Sequence, residues 1–349
     1  EGRLEGRLVP EAGFRLYHID VLPVPRRPSM TLFKVPGALR RAIQRSEAII
    51  SQEHALGAIT FGGYVSLPLA WAASRAHLPL VIHEQNSVPG LSNRFAARWA
   101  DRVAVTFPGS AHRFRDQERT AVTGNPVREE ILGLDREQAR QEALGHFKLH
   151  LRRRTILVFG GSQGARSLNQ AIVASYPHWE QPKKLQILHA AGEKLYRETA
   201  AGWEQARSRH EDGPLVRCVD FIDDMAAAYA AADVVVCRAG ATSIAELTVL
   251  GLPAILVPYP HATGDHQLHN GRALERVGGA QVIEDGDVDG ARLVAAAQPL
   301  LSDDEAYQRA AASSRAFGRR DAATRVARLL LEEIARSPVA RVHATGSRS

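Results

Sequence analysis

Several groups of residues in the 349-residue chain have the types and spacing to hold a phosphorylated ligand. Arg238-Ala239-Gly240 ends an apolar run, and Ala241, Thr242, Ser243 and Glu246 follow within about a turn and a half of a helix. A helix start after a small-residue turn offers free N–H groups and a positive dipole end, which together favour an anion. Thr242 or Ser243 is the expected cap. Gly160-Gly161-Ser162-Gln163-Gly164 is a second glycine turn after an apolar run, with the Ser162 hydroxyl as a further donor. Gly62-Gly63-Tyr64 is a third; a glycine pair alone carries little weight, because tight turns need glycine anyway. His83, Glu84, Gln85 and Asn86 place four polar residues at the end of an apolar run, where they must meet a ligand or each other. Arg128 reads either as a forked phosphate donor or as a surface charge. Phe221 and Ile222 read either as a ligand platform or as core.

The elements that must position these groups are short apolar strands, each leading into a polar loop and an amphipathic helix. Val234–Cys237 and 254–257 are two such strands, and the helix after the second opens at Asp265-His266-Gln267. Others are expected at 58–60, 80–82, 101–106, 155–159, 185–189, 215–220 and 281–283. A further strand is expected at 14–19, after a helix tail at 6–13. Consecutive strand–loop–helix units aim their loops at the carboxyl edge of a parallel sheet, where open α/β sheets hold nucleotides. Helices are expected from about Gly290 to Leu301 and from Ala322 to Arg336.

Composition limits the function further. The length suits two domains, and 45% hydrophobic with 23% charged residues is ordinary for a globular chain. Net charge is +6, which favours an anionic partner; without zinc-knuckle, RNP-like or long basic-helix patterns, nucleic acid ranks last. Cys218 and Cys237 lie in apolar contexts with neither metal nor redox spacing, and read as buried thiols. The stretch Arg26–Arg45 alternates apolar residues with six basic ones and no acid. It reads either as a solvated helix face or as a patch for an anionic lipid surface.

Taken in order, FGGYVS (61–66), HEQNSVPGLSNR (83–94), TGNPVR (123–128), GGSQGA (160–165), FIDDM (221–225), RAGATSIAE (238–246), GLPAILVPYP (251–260) and DHQLHN (265–270) resemble the MurG family of glycosyltransferases. The resemblance runs from Arg3 to about Arg336. It implies an α/β chain of the GT-B class, two Rossmann-like doubly wound parallel-sheet domains facing across a cleft. The acceptor-side domain would be 1–125 plus the helix 322–336, the donor domain 126–321, and 337–349 a disordered tail. The family's reaction is inverting transfer of N-acetylglucosamine from UDP-N-acetylglucosamine to the C4 hydroxyl of an undecaprenyl-diphosphate-linked muramyl-pentapeptide, at the cytoplasmic face of the inner membrane during peptidoglycan synthesis. The basic stretch at 26–45 would then face an anionic membrane surface. Residue by residue, the resemblance gives Asn86 and Gln267 to the sugar, Arg128 and Ser162 to the diphosphate, Phe221 and Ile222 to the uracil, and Glu246 to the ribose, beside Ala241, Thr242 and Ser243. Gly62, Gly63 and Tyr64 fall on the acceptor side. No metal or other cofactor is implied.

The chain departs from the family at its start. The family carries a first glycine-rich loop with a histidine proposed as general base; here the chain opens at Glu1, after that unit would have ended. His83 and Glu84 are the remaining candidates for the base. An N-terminal segment is expected to be missing, with slow or absent turnover. The alternatives are a non-catalytic UDP-sugar-binding protein, another GT-B glycolipid synthase, and a UDP-sugar epimerase.

Overall fold

The structure, a computed structural model, describes residues 5–22, 34–161 and 164–337. After a short helix, α1 (Glu5–Glu11), and the longer α2 (Val35–Gln52), the chain alternates strands and helices. The order is β1 (Ala58–Thr60), α3 (Ser66–Arg75), β2 (Leu80–Glu84), α4 (Leu91–Ala96), β3 (Arg102–Val105), α5 (Pro108–Ala111) and β4 (Thr120–Val122). These strands form one parallel sheet in the order β1-β2-β3-β4. Every residue of β2 is buried, as both faces of a helix-covered parallel sheet require. No regular element forms at 14–19, against the expected strand. Phe14 and Arg15 are exposed there and Leu16 and Tyr17 half-buried, which is not the period-two pattern of a strand on a sheet.

Helices α6 (Glu129–Leu132) and α7 (Arg136–His146) lead into the second unit. It runs β5 (Arg154–Phe159), α8 (Arg166–Ala174), β6 (Leu185–Ala190), α9 (Tyr196–Arg209), β7 (Leu215–Val219), α10 (Met225–Ala231) and β8 (Val234–Cys237). Then come α11 (Ala241–Leu250), β9 (Ala254–Leu256), α12 (His266–Glu275), β10 (Ala280–Val282), α13 (Gly290–Ser302), α14 (Asp304–Phe317) and α15 (Ala322–Arg336). The second sheet is wholly parallel in the order β10-β9-β8-β5-β6-β7. The order reverses direction at β5, so the sheet is doubly wound and its switch point lies beside β8. Helix α14 was not foreseen; Asp303 caps it through the N–H groups of Glu305 and Ala306.

Two core layers sandwich the second sheet. Leu157, Val235 and Leu256 face α10 and α11 on one side, while Ile156, Val158 and Val236 face α8 and α13 on the other. In the first unit, Leu80, Ile82 and Val103 face α3 and α4. The opposite face, Val81 and Ala104, is covered by Val326, Leu329 and Leu330 of α15. The last helix therefore returns to the first sheet. Of the basic stretch 26–45, residues 26–33 lie outside the described residues, and Lys34 is the N-cap of α2. The rest belongs to α2, which buries Ala38, Ala42 and Ser46 at helical spacing and leaves Leu39, Arg40, Arg41 and Arg45 outward.

A buried polar network locks β6 to the helices around it. Trp203 donates from Nε1 to Nδ1 of His189 at 3.1 Å, which leaves the proton on Nε2 to meet Oδ1 of Asn169 at 3.0 Å. Asn169 Nδ2 donates in turn to the Ala191 carbonyl and the Thr199 hydroxyl. Burial pushes the His189 pKa down to about 3. The folded value lies below the unfolded one, so the unfolded chain takes up the proton first. Stability is complete above about pH 6.5 and falls as the pH drops toward 3, by about 2 kcal/mol at pH 5. Urea melts at pH 7.5 and 5.0 should show that loss, and His189→Gln should flatten it. An unchanged pH slope in the variant would remove His189 as its source.

Candidate active site

The loops at the carboxyl ends of both sheets meet. Asn270, fully buried on α12, accepts from the Ser87 N–H at 2.7 Å and donates to Asn86 Oδ1 at 3.1 Å. The expected sugar-contacting Asn86 thus has its side chain oriented from the other unit. Asn270 also donates to the carbonyl of Ala239, in the turn before α11, so one amide joins the HEQN loop to the RAGA turn. Sequence reasoning did not single out Asn270; its position inside the DHQLHN motif was the available signal.

Gly240, not Thr242 or Ser243, is the N-cap of α11, in an extended conformation with no side-chain cap. The caps expected from residue type fall one and two positions inside the helix, with Thr242 exposed. No side chain competes for the first N–H groups of α11, and this end keeps its donors for a ligand. The other glycine turn, 160–164, is equally constrained. A Cβ on Gly164 would lie 2.3 Å from the Ala191 carbonyl oxygen, at a φ of +73°. Ser162 lies outside the described residues.

Glu246 is buried one turn into α11, and its carboxylate is shared. Arg128 donates from Nη2 at 3.1 Å and Nε at 3.3 Å to Oε1, and the Tyr229 hydroxyl donates to Oε2 at 2.9 Å. Arg128 is half exposed and also reaches Glu130. The residues expected at the diphosphate and at the ribose therefore pair with each other. Tyr229 was missed; its signal was a lone phenol in the alanine-rich stretch 226–232. Burial, with the Glu246 charge beside it, holds its pKa well above the ordinary value, so it stays a donor.

Around this cluster, Phe221 is 46% exposed at the end of β7 and Ile222 is buried. Gln267 accepts from the Tyr259 N–H at 2.9 Å and so pins the loop 258–265. Arg238 does the same from below. It donates to the carbonyls of Val257 and Pro258, pairs with Asp285 and reaches the Ser167 hydroxyl at the start of α8. The sequence reading treated Arg238 only as part of a turn. On the other side, Gly62 and Gly63 have φ of +88° and +84°, and Tyr64 is exposed.

His83 and Glu84 stand at the C-terminal end of β2, which runs two residues past its expected end at Ile82 and leaves them 0% and 2% exposed. His83 Nε2 meets the Gly124 carbonyl at 2.9 Å, Nδ1 has no partner, and burial lowers the pKa. Glu84 Oε1 accepts from the Asn86 N–H at 2.9 Å and its Nδ2 at 3.4 Å. Its Oε2 accepts from the Gly90 N–H and the Asn93 amide. Both carboxylate oxygens are thus occupied by donors of the 86–93 loop. Among the described residues no group of three His, Cys, Asp or Glu side chains is arranged to hold a metal.

Two parallel-sheet units with ligand-facing loops across a seam define the GT-B class. The chain matches the glycosyltransferase family 28 N-terminal domain over residues 1–105 and the corresponding C-terminal domain over 155–326. It is 40% identical over 318 residues to the UDP-N-acetylglucosamine–N-acetylmuramyl-(pentapeptide) pyrophosphoryl-undecaprenol N-acetylglucosamine transferase of Halothermothrix orenii, covering 90% of this chain and 85% of the relative. The Nocardioides enzyme of the same name is 41% identical, covering 94% and 87%. The crystal structure of Acinetobacter baumannii MurG superposes with a TM-score of 0.73 at 28% identity, covering 94% of this chain and 88% of that one. The chain belongs to the MurG family. A UDP-GlcNAc 2-epimerase from Neisseria meningitidis shares the fold alone, at 11% identity.

Proposed function

We propose that the chain transfers N-acetylglucosamine from UDP-N-acetylglucosamine to the C4 hydroxyl of an undecaprenyl-diphosphate-linked muramyl-pentapeptide. The observation that carries this reading is the Arg128–Glu246–Tyr229 cluster beside the uncapped start of α11, in a chain about 40% identical to transferases of that name. The donor domain is 126–321, and the acceptor domain 1–125 with the helix 322–336. The packing of α15 on β2 and β3 supports that division.

In the reaction the acceptor oxygen attacks the sugar C1, the bond from C1 to the diphosphate oxygen breaks, and the acceptor proton passes to water. The departing UDP gains negative charge. The α11 start, the glycine turn before α8 and Arg128 stabilise that charge in this reading, with the Ser162 hydroxyl as a further donor, and such pre-set donors lower the barrier most. Arg128 exchanges Glu246 for the diphosphate, and its half-exposed guanidinium lets solvent screen part of the pairing it gives up. Glu246 then accepts from the ribose hydroxyls, Phe221 and Ile222 hold the uracil, and Asn86 and Gln267 hold the sugar. Ala241, Thr242 and Ser243 line the phosphate end, and Gly62, Gly63 and Tyr64 the acceptor side. His83 and Glu84, buried and bonded, act by positioning, with no proton step assigned to them. Donor and acceptor are the only small molecules this chemistry needs.

The acceptor's lipid places the enzyme at the cytoplasmic face of the cell membrane. A patch on the first unit supports docking there. Trp71 and Phe95 each meet Trp99 edge-on, with centroids 5.1 and 5.3 Å apart, and Arg98 lies 4.5 Å over Phe95. Leu91 is 78% exposed beside them. Aromatic rings edged by arginine suit a headgroup layer. Among the described residues no helix is long and apolar enough to cross a membrane.

The test is UDP release from UDP-N-acetylglucosamine, with and without a short-chain acceptor analogue, in solution and on anionic vesicles. Release should need the acceptor, and Trp71→Ser with Phe95→Ser should lower vesicle binding while sparing turnover in solution. Tight UDP binding with no acceptor-dependent release would favour a non-catalytic UDP-sugar-binding protein instead.

A further inference from the structure

The seam between the two units holds a half-open cavity of about 250 Å³ that none of the roles above uses. The first unit contributes Ser87, Phe107 and Arg113 to its wall; the second contributes His269 and Arg276 from α12 and Phe317 from α14. Its place is set by the Asn86–Asn270 hydrogen bond, since Ser87 and His269 are the chain neighbours of that pair. The cavity therefore opens directly beside the point where the units touch.

Its charge is one-sided. Neither Arg113 nor Arg276 has an acidic partner among the described residues; Arg276 spends only its Nε, on the Arg272 carbonyl. The Ser87 hydroxyl is shut off from solvent and has no hydrogen-bond partner. Phe107 and Phe317, with ring centroids 6.0 Å apart, form an apolar side, while Arg113 and Arg276 are themselves exposed at its mouth. The two guanidinium groups come from opposite units and line the same cavity, so their like charges oppose each other across the seam. An anion between them turns that repulsion into attraction. Guanidinium forks fit carboxylate and phosphate alike, and the volume is too small for a nucleotide and sufficient for one oxyanion group.

We propose that this cavity binds a small oxyanion that bridges Arg113 of the first unit and Arg276 of the second and holds the cleft closed. The anion comes either from a carboxylate on the acceptor's peptide, an assignment that rests on the function proposed above, or from free inorganic phosphate.

The experiment compares the full chain with its Arg113→Gln/Arg276→Gln form. With saturating UDP present to fill the donor's own phosphate site, inorganic phosphate should raise the Tm of the parent protein by several degrees and leave the double variant unmoved. Acceptor KM should rise about 5- to 10-fold in the variant while donor KM stays the same, and Arg→Lys replacements at both positions, which keep the charge and lose the fork, should recover only part of the loss. A KM penalty that disappears with an acceptor whose peptide carboxylates are amidated identifies the acceptor as the source. A penalty equal for both acceptors, with phosphate stimulating only the parent protein, identifies the free ion. A variant that matches the parent in both phosphate-dependent Tm and acceptor KM overturns the site. A parent protein without turnover defeats the transferase reading, and the phosphate melt still decides the cavity.

Discussion

Glu246→Ala should raise the KM for UDP-N-acetylglucosamine, and the Kd for UDP, about 100-fold. The carboxylate is 7% exposed at its side chain and stands one turn into the uncapped start of α11, held between Arg128 and Tyr229. A hydrogen bond to a charged group contributes about 1.5–3 kcal/mol, and a ribose offers two. Part of that gain is offset, because Arg128 must let go before it meets the diphosphate. A net effect of about 2.7 kcal/mol remains, which is the 100-fold factor. The same change leaves the buried Tyr229 hydroxyl without an acceptor, at about 1–3 kcal/mol of stability. Calorimetric titration with UDP and with its 2′-deoxy analogue separates the two effects. The parent protein should bind the deoxy analogue more weakly, and the variant should not distinguish the two. A variant that binds UDP as the parent does would remove Glu246 from the ribose.

The architecture was legible because parallel strands buried on both faces read as apolar runs. Val234–Cys237 and Ala322–Arg336 match their expected spans, and the glycine turns mark the sheet edge that faces a ligand. Partnerships across the chain were not legible. Arg128 and Glu246 are 118 positions apart, and Asn86 and Asn270 are 184 apart. No local pattern encodes which polar groups of two separate motifs will share a hydrogen bond. Residue type also misled at the α11 cap, where Gly240 takes the extended N-cap conformation and leaves Thr242 and Ser243 inside the first turn. The partners of His83 and Glu84 were not legible for a related reason. Polar residues at a strand's end must meet a ligand or each other, and here they meet the 86–93 loop and the Gly124 carbonyl.

That last pairing makes Glu84 the site of the second large effect. Glu84→Gln should be nearly as damaging as Glu84→Ala, losing about 2–4 kcal/mol of stability and about 100-fold or more in kcat/KM for the acceptor. All four bonds to the carboxylate come from donors: the N–H groups of Asn86 and Gly90 and the amides of Asn86 and Asn93. A glutamine has only one acceptor oxygen. Whichever way its amide turns, its own N–H group faces two donors and leaves them buried and unpaired. The loop that carries Asn86 toward the second unit then loses its anchor, and a displacement of about 1 Å in a positioned group is enough for a 100-fold loss. A catalytic base would behave differently. Its replacement by glutamine would spare stability, keep acceptor KM, and abolish the acidic limb of the pH–rate profile. Denaturant melts together with pH–rate profiles of both variants decide between the roles. The expected result is a destabilised protein whose residual activity keeps the parent's pH profile at lower amplitude. A Gln variant as stable as the parent but with a flat acidic limb would restore Glu84 as the proton acceptor.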